Sequence, residues 1–192
     1  MDRRRGAGVR ARPGGFTLVE LMVAIAIGAL LMMVAAPGMV GFQRNAELTS
    51  RANALLAAVQ AARGEAMKRG MAALVVPAGD GSDWRRGWVV FVDQDRDQRY
   101  DAARDITVLE QPALPAYFEL TATGSAASEA PYFLFDASGY PKTRTGAFGG
   151  GSLTIARTDV PAAARTEQSR RLVVGSTGRT RICKPADASS CS

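Results

Sequence analysis

Four groups of residues in this 192-residue chain have types and spacings that could do chemistry. Cys183 and Cys191 lie eight apart near the end of the chain. In an oxidising compartment such a pair joins into a small loop, which stabilises by roughly 2–3 kcal/mol. Asp93, Asp95, Asp97 and Asp101 fall at positions 1, 3, 5 and 9 of an EF-hand-type calcium loop. Position 6 is Gln98 instead of Gly, position 12 is Arg104 instead of a bidentate Glu, and Arg96, Arg99 and Arg104 oppose a cation. The expectation is therefore a polar turn whose aspartates accept turn amides, with no metal. Between Arg165 and Lys184, six cations (Arg165, Arg170, Arg171, Arg179, Arg181 and Lys184) stand against the single acid Glu167, a local charge of +5 suited to phosphate. Finally, Glu20 is the one charge in the apolar stretch from Phe16 to Phe42. A carboxylate costs about 2.5–3.5 kcal/mol at mid-bilayer and less near a helix end, so its presence there calls for a reason.

The chain contains no histidine, which excludes a His-based triad and an imidazole metal ligand. No free reactive thiol is expected, no cofactor is implied, and the chain does not read as an enzyme. The net charge of +6 suggests a polyanion partner, yet residues 1–15 hold five arginines against Asp2, a surplus of +4. The remainder is close to neutral, so any such partner must be met by local clustering.

These residues are carried by simple elements. A basic leader, residues 1–15, precedes the apolar run, residues 16–42, which as a helix spans a hydrocarbon core of roughly 30 Å. The arginines hold the leader on the cytoplasmic side and send the rest across the membrane. Leu48, Ala52, Leu55, Leu56, Val59, Ala62, Ala66 and Met67 then recur at steps of three and four, so residues 43–70 continue as an amphipathic helix. Lys68-Arg69-Gly70 ends it, with a break expected at Pro37-Gly38. Residues 71–192 form a head with eight short strands at Ala72–Val76, Trp88–Asp93, Ile106–Glu110, Phe118–Thr121, Tyr132–Phe135, Leu153–Ala156, Arg171–Gly175 and Thr180–Cys183. Helices do not alternate with them, which favours antiparallel sheets. The predicted fold is α+β: a long N-terminal transmembrane and amphipathic helix packed on a β-rich, two-sheet antiparallel globular head.

The junction Gly14-Gly15-Phe16-Thr17-Leu18-Val19-Glu20 resembles the class III signal of type IV pilins and pseudopilins. A Sec signal has an apolar core of 7–15 residues, shorter than this one, and a lipoprotein signal needs a junction cysteine that is absent. The resemblance implies that a prepilin peptidase cuts between Gly15 and Phe16 and N-methylates Phe16. Glu20 becomes the fifth mature residue, and its carboxylate pairs with the Phe16 amine of a neighbouring subunit, offsetting the desolvation of both charges. Pro37 also matches that family, where the helix bends or melts.

Within the head, Trp84-Arg85-Arg86-Gly87-Trp88-Val89-Val90-Phe91-Val92-Asp93 resembles the Trp-x-x-Gly-Trp strand of the GspH/FimT minor pilins. Phe135-Asp136-Ala137-Ser138-Gly139 and the stretch from Val173 to Cys183 continue the similarity. A cysteine that many members carry before the Trp motif is absent after Pro77. The implied function is that of a minor pilin or pseudopilin, a structural subunit of a type IV pilus or type II secretion filament. Its implied location is the inner membrane, crossed once, with the C-terminal head in the periplasm. Partners implied are other pilins through the N-terminal helix, the prepilin peptidase and the membrane. In the FimT branch a C-terminal Gly-Arg-x-Lys/Arg element is associated with DNA uptake. Gly178-Arg179-Thr180-Arg181 fits it, so double-stranded DNA is the alternative partner, with Gly178, Arg179, Arg181, Arg171 and Lys184 as candidate contacts.

Overall fold

A computed structural model describes residues 15–187 and 191. The chain divides into two compact units, Met1–Gln43 and Arg44–Ser192. One helix, α1 (Leu18–Arg69), contributes to both.

In the first unit, the described side chains of α1 are apolar on all sides apart from Glu20 and are exposed, from Leu18 at 74% to Phe42 at 73%. A helix without a polar face must be covered by lipid or by other apolar helices. Thr17 opens it: its Oγ1 accepts the Glu20 amide at 3.2 Å, and Thr-x-x-Glu is the pattern of a capping box. The break expected at Pro37 falls on residues 34–37, whose side chains lie outside the described residues. Leu18–Met33 and Gly38–Arg69 meet the length and hydropathy of a membrane span only as a pair; no single helix among the described residues does so.

In the second unit, α1 presents Leu48, Ala52, Leu55, Val59, Ala62 and Ala66 as a buried stripe, all at or below 2% exposure. Met67, expected in that stripe, is about half exposed, because the last turn has passed the edge of the core. The end follows the sequence signals. Gly70 takes φ +65°, the Met71 amide reaches back to Ala66 O at 3.3 Å, and Lys68 and Arg69 pair with Glu65 at 3.2 and 2.6 Å.

Among the described residues nine strands follow, in two wholly antiparallel sheets. The first holds β1 (Ala73–Pro77), β2 (Trp88–Val92), β3 (Ile106–Gln111), β5 (Phe133–Phe135) and β6 (Pro141–Lys142), in the order β3-β2-β1-β5-β6. The second holds β4 (Phe118–Gly124), β7 (Gly151–Arg157), β8 (Ser169–Val174) and β9 (Thr180–Cys183), in the order β4-β7-β8-β9. β1 and β2 are buried on both faces, which explains their near-continuous apolar runs. Val75, Trp88, Val90 and Phe135 face a core shared with the α1 stripe and with Leu153, Ile155 and Leu172 of the second sheet. Leu74, Val76, Val89 and Phe91 face outward to a second cluster, against which Tyr100 packs. Burying one such Leu or Phe stabilises by about 1.5–3 kcal/mol.

Eight strands match the sequence expectation to within a few residues, and β6 is new. β4 ends on Gly124 and β7 begins on Gly151, each a few residues beyond the expected strand. Gly124 and Gly151 oppose one another, and a Cβ on either would lie 2.3 Å from a backbone oxygen of the partner segment. Side-chain propensity carries no record of that close approach.

Candidate functional site

The structure places the candidate residues at three positions. At the amino end, Gly15, Phe16 and Thr17 precede α1, and Glu20 lies in its first turn with Leu18, Val19, Leu21 and Met22 exposed around it. The leader that a peptidase would remove lies outside the described residues, except Gly15. The Thr17 cap was not anticipated, although Thr17-Leu18-Val19-Glu20 carried the signal for it.

At the carboxyl end, residues 175–179 form the turn between β8 and β9. The Gly178 amide donates to Gly175 O at 2.8 Å, and the Gly175 amide to Arg179 O at 2.9 Å. Gly178 has φ +82° and is buried; a Cβ there would sit 3.0 Å from Gly139 O. Its glycine is therefore required by the turn and by the neighbouring 136–139 loop, not by the approach of a ligand. Arg63 of α1 donates from Nη1 to Gly178 O at 2.9 Å and fixes the turn on the helix, a clamp with no local signal in the sequence. Arg179 is exposed just before β9, Arg181 is half-buried within it, and the two line one shallow cleft with Val173, Ser176 and Thr177.

The six cations do not form one face. Arg170 is buried, donates to Ser169 O at 2.8 Å, and has its charged form disfavoured by that burial. Arg171 is half-buried and donates to Thr154 Oγ1 at 3.0 Å across the β7–β8 ladder. Arg165 lies 4.0 Å from Glu119. The sequence sum of +5 is thus spread over several surfaces, with Arg179 just before β9, Arg181 within it and the exposed Lys184 just after it. Cys183 and Cys191 are disulfide-bonded, with Cα atoms 5.4 Å apart, and so tie the segment after β9 back to that strand.

The third position is the acidic turn between β2 and β3. Carboxylate oxygens of Asp93, Asp95 and Asp97 lie within 4.8 Å of one another. Asp95 and Asp97 use Oδ1 to accept the Asp97 and Arg99 amides at 3.3 and 2.7 Å, as expected of turn aspartates. Asp93 is buried, and its pKa is raised by that burial and by the neighbouring Asp105 and Asp97 carboxylates, against the Gln98 and Arg96 amides that donate to it.

Residues 51–178 match the family described as "Type II transport protein GspH", and residues 10–36 match the "Prokaryotic N-terminal methylation motif". Among solved structures, the chain is similar to the type IV minor pilin FimU of Pseudomonas aeruginosa. Identity is 23% and the TM-score 0.52, over 76% of this chain and 95% of that one. It also resembles the minor pseudopilin EpsH from the type 2 secretion system of Vibrio cholerae, at 16% identity and a TM-score of 0.49, over 73% and 99% of the two chains. No curated protein sequence matches. The likeness to FimU is one of fold: a long N-terminal helix packed on a β head of two antiparallel sheets.

Proposed function

The chain belongs to the GspH family of type II transport proteins, and on that premise we propose that it is a minor pilin or pseudopilin, a structural subunit of a type IV pilus or type II secretion filament. The observation that carries this reading is a methylation motif at residues 10–36 in the same chain as the GspH match, opening a helix exposed and apolar on every side. Such a helix is stable in only two settings, a bilayer before assembly and a bundle of like helices after it. Cleavage between Gly15 and Phe16 leaves the Phe16 amine near Glu20, so that in a bundle each carboxylate has an adjacent subunit's cation to pair with. The units follow from this: leader 1–15 removed, residues 16–42 in membrane or filament core, residues 43–70 as the stem, and residues 71–192 as a periplasmic head.

Intact mass of protein taken from native membranes tests the proposal. The expected species lacks residues 1–15 and carries one added methyl on Phe16. Retention of Met1, or a cut after Ala36, overturns it.

A second reading, capture of double-stranded DNA, is favoured by the shared cleft of Arg179 and Arg181 beside an exposed turn. Phosphate recognition needs cations that are accessible and set in a fixed frame, and the Arg63 clamp on Gly178 supplies the frame.

A further inference from the structure

Three large apolar side chains of the second unit are exposed among the described residues, Met67, Tyr140 and Phe148, and two of them touch. The Tyr140 and Phe148 rings meet edge to face with centroids 5.9 Å apart. They stand at the two ends of a tight hairpin, closed by the Thr143 amide on Ala147 O at 2.8 Å and the Gly149 amide on Pro141 O at 2.9 Å. Lys142 places Nζ 3.9 Å over the Phe148 ring, yet that ring stays 64% exposed. A single exposed ring needs no explanation, but a held pair with a cation upon it presents flat apolar surface to a partner.

The residues flanking this hairpin touch the β8–β9 turn. Gly139 O lies 3.0 Å from where a Cβ on Gly178 would sit, and the Ser176 amide nitrogen 3.4 Å from where one on Gly150 would. Ser176 lines two recesses at once. One, of about 530 Å³, also holds Phe148, Gly149 and Gly150; the other holds Arg179 and Arg181. The aromatic pair and the two arginines thus flank one turn. Lys142 itself lies 3.7 Å from the Asp136 carboxylate, so contact with an anion falls first to the arginines.

We propose, resting on the DNA reading of the Arg179–Arg181 cleft, that this surface takes a DNA strand with unpaired bases, stacking bases on Phe148 and Tyr140 while Arg179 and Arg181 hold its phosphates. A duplex offers its phosphates but keeps its base faces stacked on one another, so the two rings would have nothing to take. An apolar partner without charge would leave the guanidiniums unmatched. Unpaired bases on a phosphate backbone match both halves, which is how single-strand binding surfaces combine a cationic track with aromatic platforms. Every base has a flat face, so this recognition tolerates any sequence. The clamp of Arg63 on Gly178 and the hairpin hydrogen bonds hold the two halves in a fixed frame before the strand arrives.

Fluorescence anisotropy of the full-length protein in non-ionic detergent micelles tests it with three labelled probes of equal length, about twelve nucleotides: oligothymidylate, the same backbone with abasic sugars, and a duplex. The expected result is that oligothymidylate binds about tenfold or more tightly than the abasic strand, the gain of at least one stacked base. Tyr140→Ala with Phe148→Ala, both at exposed positions, should abolish that difference and leave the salt slope unchanged, because no phosphate contact is lost. Phe148→Trp should keep the difference, since it keeps a stacking face. The abasic comparison is made on the unaltered protein and so does not depend on how the variants fold. Equal binding of oligothymidylate and the abasic strand overturns the proposal; if the duplex is bound in the same experiment, the DNA reading of the cleft survives without it. A paired Ala variant that still prefers oligothymidylate also overturns it. A protein that shifts none of the three probes removes this proposal and the DNA reading together.

Discussion

Arg157 grips Asp159 through two hydrogen bonds, Nε to Oδ1 at 3.0 Å and Nη2 to Oδ2 at 2.6 Å. Arg44 of α1 reaches the same Oδ2 at 2.7 Å and stacks over the Tyr117 ring, whose hydroxyl donates to Glu47 one turn along. The helix stem and the end of β7 are joined by this network. The Arg157 guanidinium, with Arg44, holds the Asp159 carboxyl well below the usual carboxylate range. Because the folded-state pKa is depressed, the pair's stabilisation is fully present above the unfolded carboxylate value near 4 and is lost as pH falls below it. Asp159→Asn should cost about 2–3 kcal/mol at pH 7, since a buried arginine loses its ionic partner while keeping Gln168, and should flatten the acid limb of a stability–pH curve measured by urea unfolding.

The Cys183–Cys191 disulfide closes a short loop at the exit of β9. Loop entropy for a closure of eight residues predicts a loss of about 2.5 kcal/mol on reduction. Urea unfolding with and without dithiothreitol should show that loss as a lower midpoint with little change in slope. Cys191→Ser should reproduce it without reductant.

How far the fold was legible depended on whether its signal was local. The α1 stripe from Leu48 to Ala66 and the ending at Lys68-Arg69-Gly70 lie within a few residues of one another in sequence, and the structure keeps both. β6 is two residues long and exists because Leu134 and Phe135 have Lys142 and Pro141 opposite them, a pairing without local periodicity. The basic cluster misled for a related reason. Charge can be summed along a sequence, but burial of Arg170 and the cross-strand bond of Arg171 to Thr154 are decided by tertiary partners. Likewise Gln98 was read by residue type, whereas its conformation is fixed by the loop around Asp93.

The Glu20 amide donates to the Thr17 cap, and the proposed filament reading gives its carboxylate a second role, pairing with an adjacent subunit's amine. Thr17→Ala removes the side-chain cap at a cost of about 1 kcal/mol to the first turn and should leave filament entry nearly intact. Glu20→Ala should insert into the membrane as well as the parent does, being more apolar, yet lower incorporation by roughly tenfold, equivalent to ~1.4 kcal/mol of lost pairing. Immunoblots of sheared filaments against whole membranes measure both. Equal incorporation of Glu20→Ala and the parent would remove the charge-pairing role and leave the cap alone.

The DNA reading makes a quantitative demand on the β8–β9 turn. Among the six cations of residues 165–184, Arg179 and Arg181 line the cleft and Lys184 is exposed just after β9, whereas Arg170 is buried and Arg171 and Arg165 sit beside Thr154 and Glu119. Three phosphate contacts release about 0.9 counterion each, so the logarithm of affinity for double-stranded DNA should fall with the logarithm of salt at a slope of roughly −3. The dissociation constant should lie at about 10⁻⁴–10⁻⁶ M with little preference among sequences. Arg179→Ala and Arg181→Ala should each lower the slope by about one, since each withdraws one phosphate contact. Arg171→Ala should change affinity little while weakening the β7–β8 ladder, which separates a binding role from a structural one. Fluorescence anisotropy of a labelled duplex against residues 44–192, repeated from 20 to about 200 mM salt, gives all three slopes. A head that leaves the duplex unshifted at low salt, or a double Arg179/Arg181 variant that binds as the parent does, would leave this turn with a purely structural part: a frame that Arg63 pins to the helix.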